Sequence, residues 1–204
     1  MLEFPDFTRL IDSFFSNEQI ELTKQSALVN KEPEQFLRLA NEAFKQSFID
    51  GIMKVNNSQF EWNDVNDRNI LGAANILSID KIMESTADYA HLVDEDEAFE
   101  HFHIVDLVRS EIVIGIFSGP YATNSLYLEE SDGIAQYLGL DMEGYIKMLI
   151  ATKGFYCWQM ALLEYKSGKE GYALKQMKEH LPRLFPEVKL DEVFALYGQL
   201  YISE

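Results

Sequence analysis

Acidic residues outnumber basic ones 34 to 17 in this chain of 204, and a surface with a formal charge of −17 cannot attract a polyanion through counterion release, which excludes nucleic acid as a ligand. A hydrophobic content of 47% with 13% aromatics excludes a disordered chain and suits a single domain with a sizeable core. The one cysteine, Cys157, excludes an internal disulfide framework and a multi-cysteine zinc centre; with no basic, cleavable N-terminus and no apolar run of about 18 residues, the expected location is the cytoplasm.

The chain opens with Phe7, Leu10, Ile11, Phe14 and Phe15 at helical spacing, with Asp6 placed to cap them. Asn17 reads as a second N-cap, and Ile20, Leu22, Ala27 and Leu28 predict a less regular helix to about residue 30. Pro33 suits the first turn of a third helix carrying Phe36, Leu37, Ala40, Phe44, Phe48 and Ile49 up to Gly51. Residues 1–54 therefore read as a helical N-terminal extension. Residues 55–68 are crowded with Asn and Asp, which bond their own backbone and favour turns, so a loop anchored by Trp62 is expected.

Ile70-Leu71-Gly72 suggests a short strand, and the spacing of Ile79, Ile82, Met83, Ala87 and Ala90 predicts a helix over 79–91. The run Asp94-Glu95-Asp96-Glu97 repels itself and so stays solvated. HFHIVDLV follows as a strand, and Ile112 to Phe117 is apolar on both period-2 faces, the mark of a central strand covered on both sides. Ser118-Gly119-Pro120 ends it, and Ser125 to Leu128 is the return strand of a hairpin. Ile134 to Leu140 is helical or half-extended. Asp141 caps a helix, a second helix ends at Gly168, and two more are separated by Pro186. Helices, then short strands, then helices define an α+β fold: a short, mixed or mainly antiparallel sheet over 70–165 with C-terminal helices over 166–204.

Motifs for hydrolysis or nucleotide binding are absent, and no cofactor is called for. His101 and His103 stand two apart, a spacing that places two imidazoles on one face of a strand, but no third metal ligand has a recognisable spacing; the other reading is a polar edge. Cys157, between Tyr156 and Trp158, reads as a small core hydrophobe. From Asp80 to Glu143 acids dominate, with only Lys81 and Arg109 against them. Asp94, Glu95, Asp96, Glu97, Glu129, Glu130 and Asp132, with Tyr121, form the expected contact face for a basic protein partner; Tyr127 and Tyr137 fit either an interface or the core.

Three stretches, ILGAANILSIDKIMES, IVDLVRSEIVIGIFSGPYATNSLYLEESDG and LDMEGYIKMLIATKGFYCWQMALLE, together resemble the SUKH superfamily of fungal cell-wall assembly regulators and bacterial immunity proteins. The resemblance implies an α+β fold, no catalysis, no cofactor, and function by capping a partner such as a secreted basic toxin. Two other classes stand beside that expectation: an enzyme with a dispersed site, with or without a metal held through His101 and His103, and a self-associating helical adaptor.

Overall fold

A computed structural model describes residues 5–27, 34–85, 97–109, 112–130 and 134–203. Among them the fold is α+β, with eight α-helices and two antiparallel sheets. The first sheet holds β1 (Ile20–Ala27), β2 (Ser58–Asp64) and β3 (Leu71–Asn75) in chain order; the second holds β4 (Phe102–Arg109), β5 (Ile112–Phe117), β6 (Tyr127–Glu129) and β7 (Gln136–Tyr137), also in chain order. The helices are α1 (Pro5–Phe15), α2 (Glu34–Ala43), α3 (Gln46–Ile52), α4 (Ile79–Glu84), α5 (Met142–Ala151), α6 (Trp158–Ser167), α7 (Tyr172–Leu184) and α8 (Leu190–Leu200).

Three stretches differ from the sequence expectation. The segment after Asn17 is strand β1, not a helix. Asn17 Oδ1 accepts the Gln19 N–H at 2.9 Å, a local turn that competes with helix capping, while its amide donates to the Leu184 carbonyl at 2.8 Å. The expected loop over 55–68 contains β2, whose Ser58, Phe60, Trp62 and Asp64 are buried on alternate positions. Strand β1, which lies within the stretch expected to be all helical, pairs with β2 in the first sheet. The single predicted helix before Gly51 is broken at Lys45, whose backbone is extended, into α2 and α3.

The two sheets meet where β3 ends. Ile76 forms an antiparallel bridge with Asp106 of β4, and the Leu77 N–H donates to the Val105 carbonyl at 2.9 Å. A bulge makes this possible: the β4–β5 register passes from Ile104↔Gly115 to Asp106↔Ile114, so Val105 has no partner on β5 and its carbonyl is left for the first sheet. The main core runs from Phe7 and Phe14 of α1 through Trp62 and Tyr145 to Phe185 and Tyr197, so both ends of the described chain share it. β5 is buried at all six of its positions. Asp141 caps α5 by accepting the Gly144 N–H at 2.7 Å, and Gly168 closes α6 in the left-handed conformation.

Gly115 of β5 faces the ring of Phe102, where an added Cβ would lie 2.2 Å from a ring carbon. Phe102 is packed by Phe99 and Phe117, so it cannot withdraw. Gly115→Ala is expected to lower unfolding stability by about 2 kcal/mol, the scale of core overpacking, in urea titration. An unchanged midpoint would show that the Phe102 cluster repacks freely.

Candidate functional site

The acids expected to form one face are divided by strand register. Glu97 is exposed at the start of a 3-10 turn, Glu97–His101, and Tyr121 is exposed with its ring 5.4 Å from that of His101. That corner adjoins Phe117, the β5 end paired with Phe102, whereas Glu129 pairs with Val113 nearer the opposite end. Four residues of strand, about 13 Å, separate the two. Glu129 is 2% exposed, so it belongs to the interior and not to a solvated face. Asp94, Glu95, Asp96 and Asp132 lie outside the described residues.

Glu130 instead opens into a cleft of about 410 Å³ between the β6–β7 pair and α6. Leu128, Met160 and Leu163 give it apolar walls, and Glu130, Glu164 and Glu170 give it carboxylates against the single base, among the described residues, of Lys169. Each acid already has a partner within the chain: Glu130 accepts from the Gln136 amide at 3.1 Å, Glu164 from the Leu174 N–H at 2.7 Å, and Glu170 pairs with Lys178 at 2.6 Å. Two exposed apolar residues flank the cleft in the chain: Tyr172, 75% exposed, follows Gly171 of its wall, and Ile134, 60% exposed, precedes Gln136. Glu164 and Glu170 were not in the expected face, since nothing local to the C-terminal helices joins them to β6.

A second depression has the opposite sign. Leu10 of α1, Ile150 of α5 and Leu196 of α8 line a cleft of about 390 Å³ together with Arg9, Lys147 and Lys153, and no acid among the described residues lines it. It adjoins a cleft of about 330 Å³ that shares Ile150, Ala151, Lys153 and Leu196 with it.

Three buried polar groups are structural. His103 is 5% exposed; its Nδ1 lies 2.9 Å from the Ile82 carbonyl, which can only accept, so Nδ1 donates and Nε2 accepts the Ser118 hydroxyl at 2.9 Å. Burial lowers its pKa, the Ile82 contact opposes this and His101 adds to it, so the ring stays neutral. Both nitrogens are thus committed, and His101 closes a 3-10 turn and does not share a strand face with His103. Among the described residues no group of three or more His, Cys, Asp or Glu side chains is arranged to hold a metal ion. Buried Asp64 pairs with Arg183 and accepts the Asn66 N–H; burial raises its pKa, but Arg183 and Asn66 outweigh that and hold it below the usual carboxylate range. Cys157 is buried at the N-terminus of α6 with a left-handed backbone, φ +60°.

The third is Asp106, which is fully buried at the sheet junction. Its Oδ1 accepts the Asn75 N–H at 2.8 Å, its Oδ2 accepts the Tyr145 hydroxyl at 2.8 Å, and that hydroxyl accepts from the Gln159 amide at 3.0 Å. Burial pushes the Asp106 pKa from 3.8 up to about 6 despite these two donors, and holds Tyr145 protonated well above its ordinary value.

No protein-family model, curated protein sequence or solved structure matches this chain. No helix among the described residues is long and apolar enough to cross a membrane.

Because its folded pKa is raised, native Asp106 binds a proton more readily than the unfolded chain does, and its contribution to stability falls as pH rises from 3.8 to about 6. In an Asp106→Asn variant the new side-chain amide would donate to Tyr145, whose hydroxyl would turn to Gln159 Oε1, an atom with no partner in the native arrangement. The wild-type advantage over this variant is therefore expected to shrink across that window and level off above it, as read by urea unfolding against pH. Parallel profiles would contradict the assignment.

Proposed function

We propose that this protein is a non-enzymatic, cytoplasmic binding protein, of the immunity-protein or regulator kind that the SUKH resemblance implies, and that it captures a basic segment of a protein partner. The observation that carries the reading is the cleft holding Glu130, Glu164 and Glu170 over apolar walls. An arginine or lysine stem lies well on Met160 and Leu163 while its charge meets the carboxylates, and exposed Tyr172 supplies an aromatic face for cation–π contact. Tyrosine beside charge is what protein interfaces favour, and the overall charge of −17 steers a basic partner inward. Of the expected contact residues, Glu130 lines this cleft. Glu97 and Tyr121 form a separate corner that a large partner reaches only by spanning the sheet.

Double charge reversal, Glu130→Lys with Glu170→Lys, tests the reading. The wild-type protein, immobilised and exposed at low salt to lysate and secreted proteins of its source, is expected to retain a basic protein that raised salt releases. The double variant is expected to bind that protein roughly tenfold or more weakly, and Tyr172→Ala to weaken it without changing the salt dependence. Retention of the same proteins by wild type and double variant, or of proteins that are not basic, would contradict the proposal.

A further inference from the structure

We propose that the groove between α1, α5 and α8 is a second docking site, and that its occupant is an acidic amphipathic segment of another protein. The proposal goes beyond the acidic cleft and rests on different residues. On a chain carrying −17, Arg9, Lys147 and Lys153 converge on one depression that no acid among the described residues lines, above an apolar floor of Leu10, Ile150 and Leu196. The adjoining cleft continues past Lys153 toward Val188 and Val193, but Glu187 and Glu192 line it with Lys189, so the basic part of the groove is the first depression. An open depression of about 390 Å³ suits the apolar anchors of a helix, spaced about one turn apart, with carboxylates beside them.

Lys153 is built into position. Its backbone is left-handed, φ +56°, a conformation that a residue with a side chain holds only when its surroundings enforce it. The enforcement is visible: the Trp62 indole N–H donates to the Lys153 carbonyl at 2.8 Å, and Gly154, also left-handed, sits where a Cβ would lie 2.5 Å from the Phe60 ring. The Lys153 side chain is 15% exposed and lines both clefts, and its ammonium lies 3.2 Å from Glu187, whose own side chain is 59% exposed. Lys147 is paired in the same way with Glu143 at 2.9 Å. An incoming carboxylate exchanges with these exposed acids, while the apolar floor gives the net gain in affinity. Because the net charge of −17 repels acids at long range, only a segment that also fills the floor stays bound, so the site selects by shape as well as by charge.

The test uses two synthetic helical peptides, one with leucines at i, i+3, i+4 and i+7 flanked by glutamates, the other with lysines in place of the glutamates, each titrated into isotope-labelled full-length protein by NMR. The glutamate peptide is expected to shift the backbone amides of Ala151, Lys153 and Leu196. Lys153→Met, which keeps the aliphatic stem, is expected to weaken it about tenfold. The lysine peptide is expected to leave those amides unmoved. No shift with the glutamate peptide, shifts elsewhere, equal shifts with both peptides, or unchanged affinity in Lys153→Met overturns the proposal. Shifts of the same amides on raising protein concentration alone would name a second copy of this chain as the occupant and overturn it as well. Failure of the lysine peptide to shift Leu163 and Glu170 bears on the acidic cleft and leaves this groove untouched.

Discussion

A buried carboxylate organises this fold at its seam. Asp106 stands where the first sheet runs out and the second begins, and it takes one hydrogen bond from each side: the Asn75 N–H from β3 and the Tyr145 hydroxyl from α5. Without those donors its burial would leave an uncompensated charge or a protonated acid at the centre of the core, either of which costs several kcal/mol. With them, Ile76 and Leu77 can dock on the Val105 bulge, and two small sheets act as one support.

The two helices tied to that carboxylate also present the two outer surfaces. On α5, Tyr145 points its hydroxyl at Asp106 while Lys147 and Ile150 line the basic groove. On α6, Gln159 reaches the Tyr145 hydroxyl while Met160, Leu163 and Glu164 line the acidic cleft. Helical periodicity separates the faces, so one seam orients both surfaces and keeps opposite charges apart. The Tyr145 and Trp158 rings, 5.1 Å apart, lock the two helices against each other between those surfaces.

Much of this was legible in the sequence. The doubly apolar run Ile112 to Phe117, the Asp141 cap and the Gly168 stop all signal elements that form as expected, because each rests on local pattern. β1 and β2 escaped because their signals are tertiary: Asn17 makes a turn whose other bond is to Leu184, and the alternation of Phe60 and Trp62 is framed by Asn and Asp that read as loop. The acidic face was half-legible for the same reason. A cluster of acids in sequence says nothing of register, which puts Glu129 inside and Glu130 at a cleft, and its companions Glu164 and Glu170 come from helices far along the chain. The pairing of Asp106 with Tyr145 and Gln159 had no sequence signal at all, although an aspartate inside the apolar strand HIVDLV is the anomaly that points to it.

Through this seam the two sheets form one cooperative unit. Native-state hydrogen exchange of the Asn75 and Leu77 amides, which bridge to β4, measures it most directly, with the amides of Phe60 in β2 and Ile114 in β5 as references for each sheet. If the seam joins them, all four exchange only through global unfolding, with the same free energy and the same dependence on denaturant. Exchange of Asn75 and Leu77 by a smaller opening, while Phe60 and Ile114 stay protected with different free energies, would mean that the sheets are independent and the seam merely a contact between them.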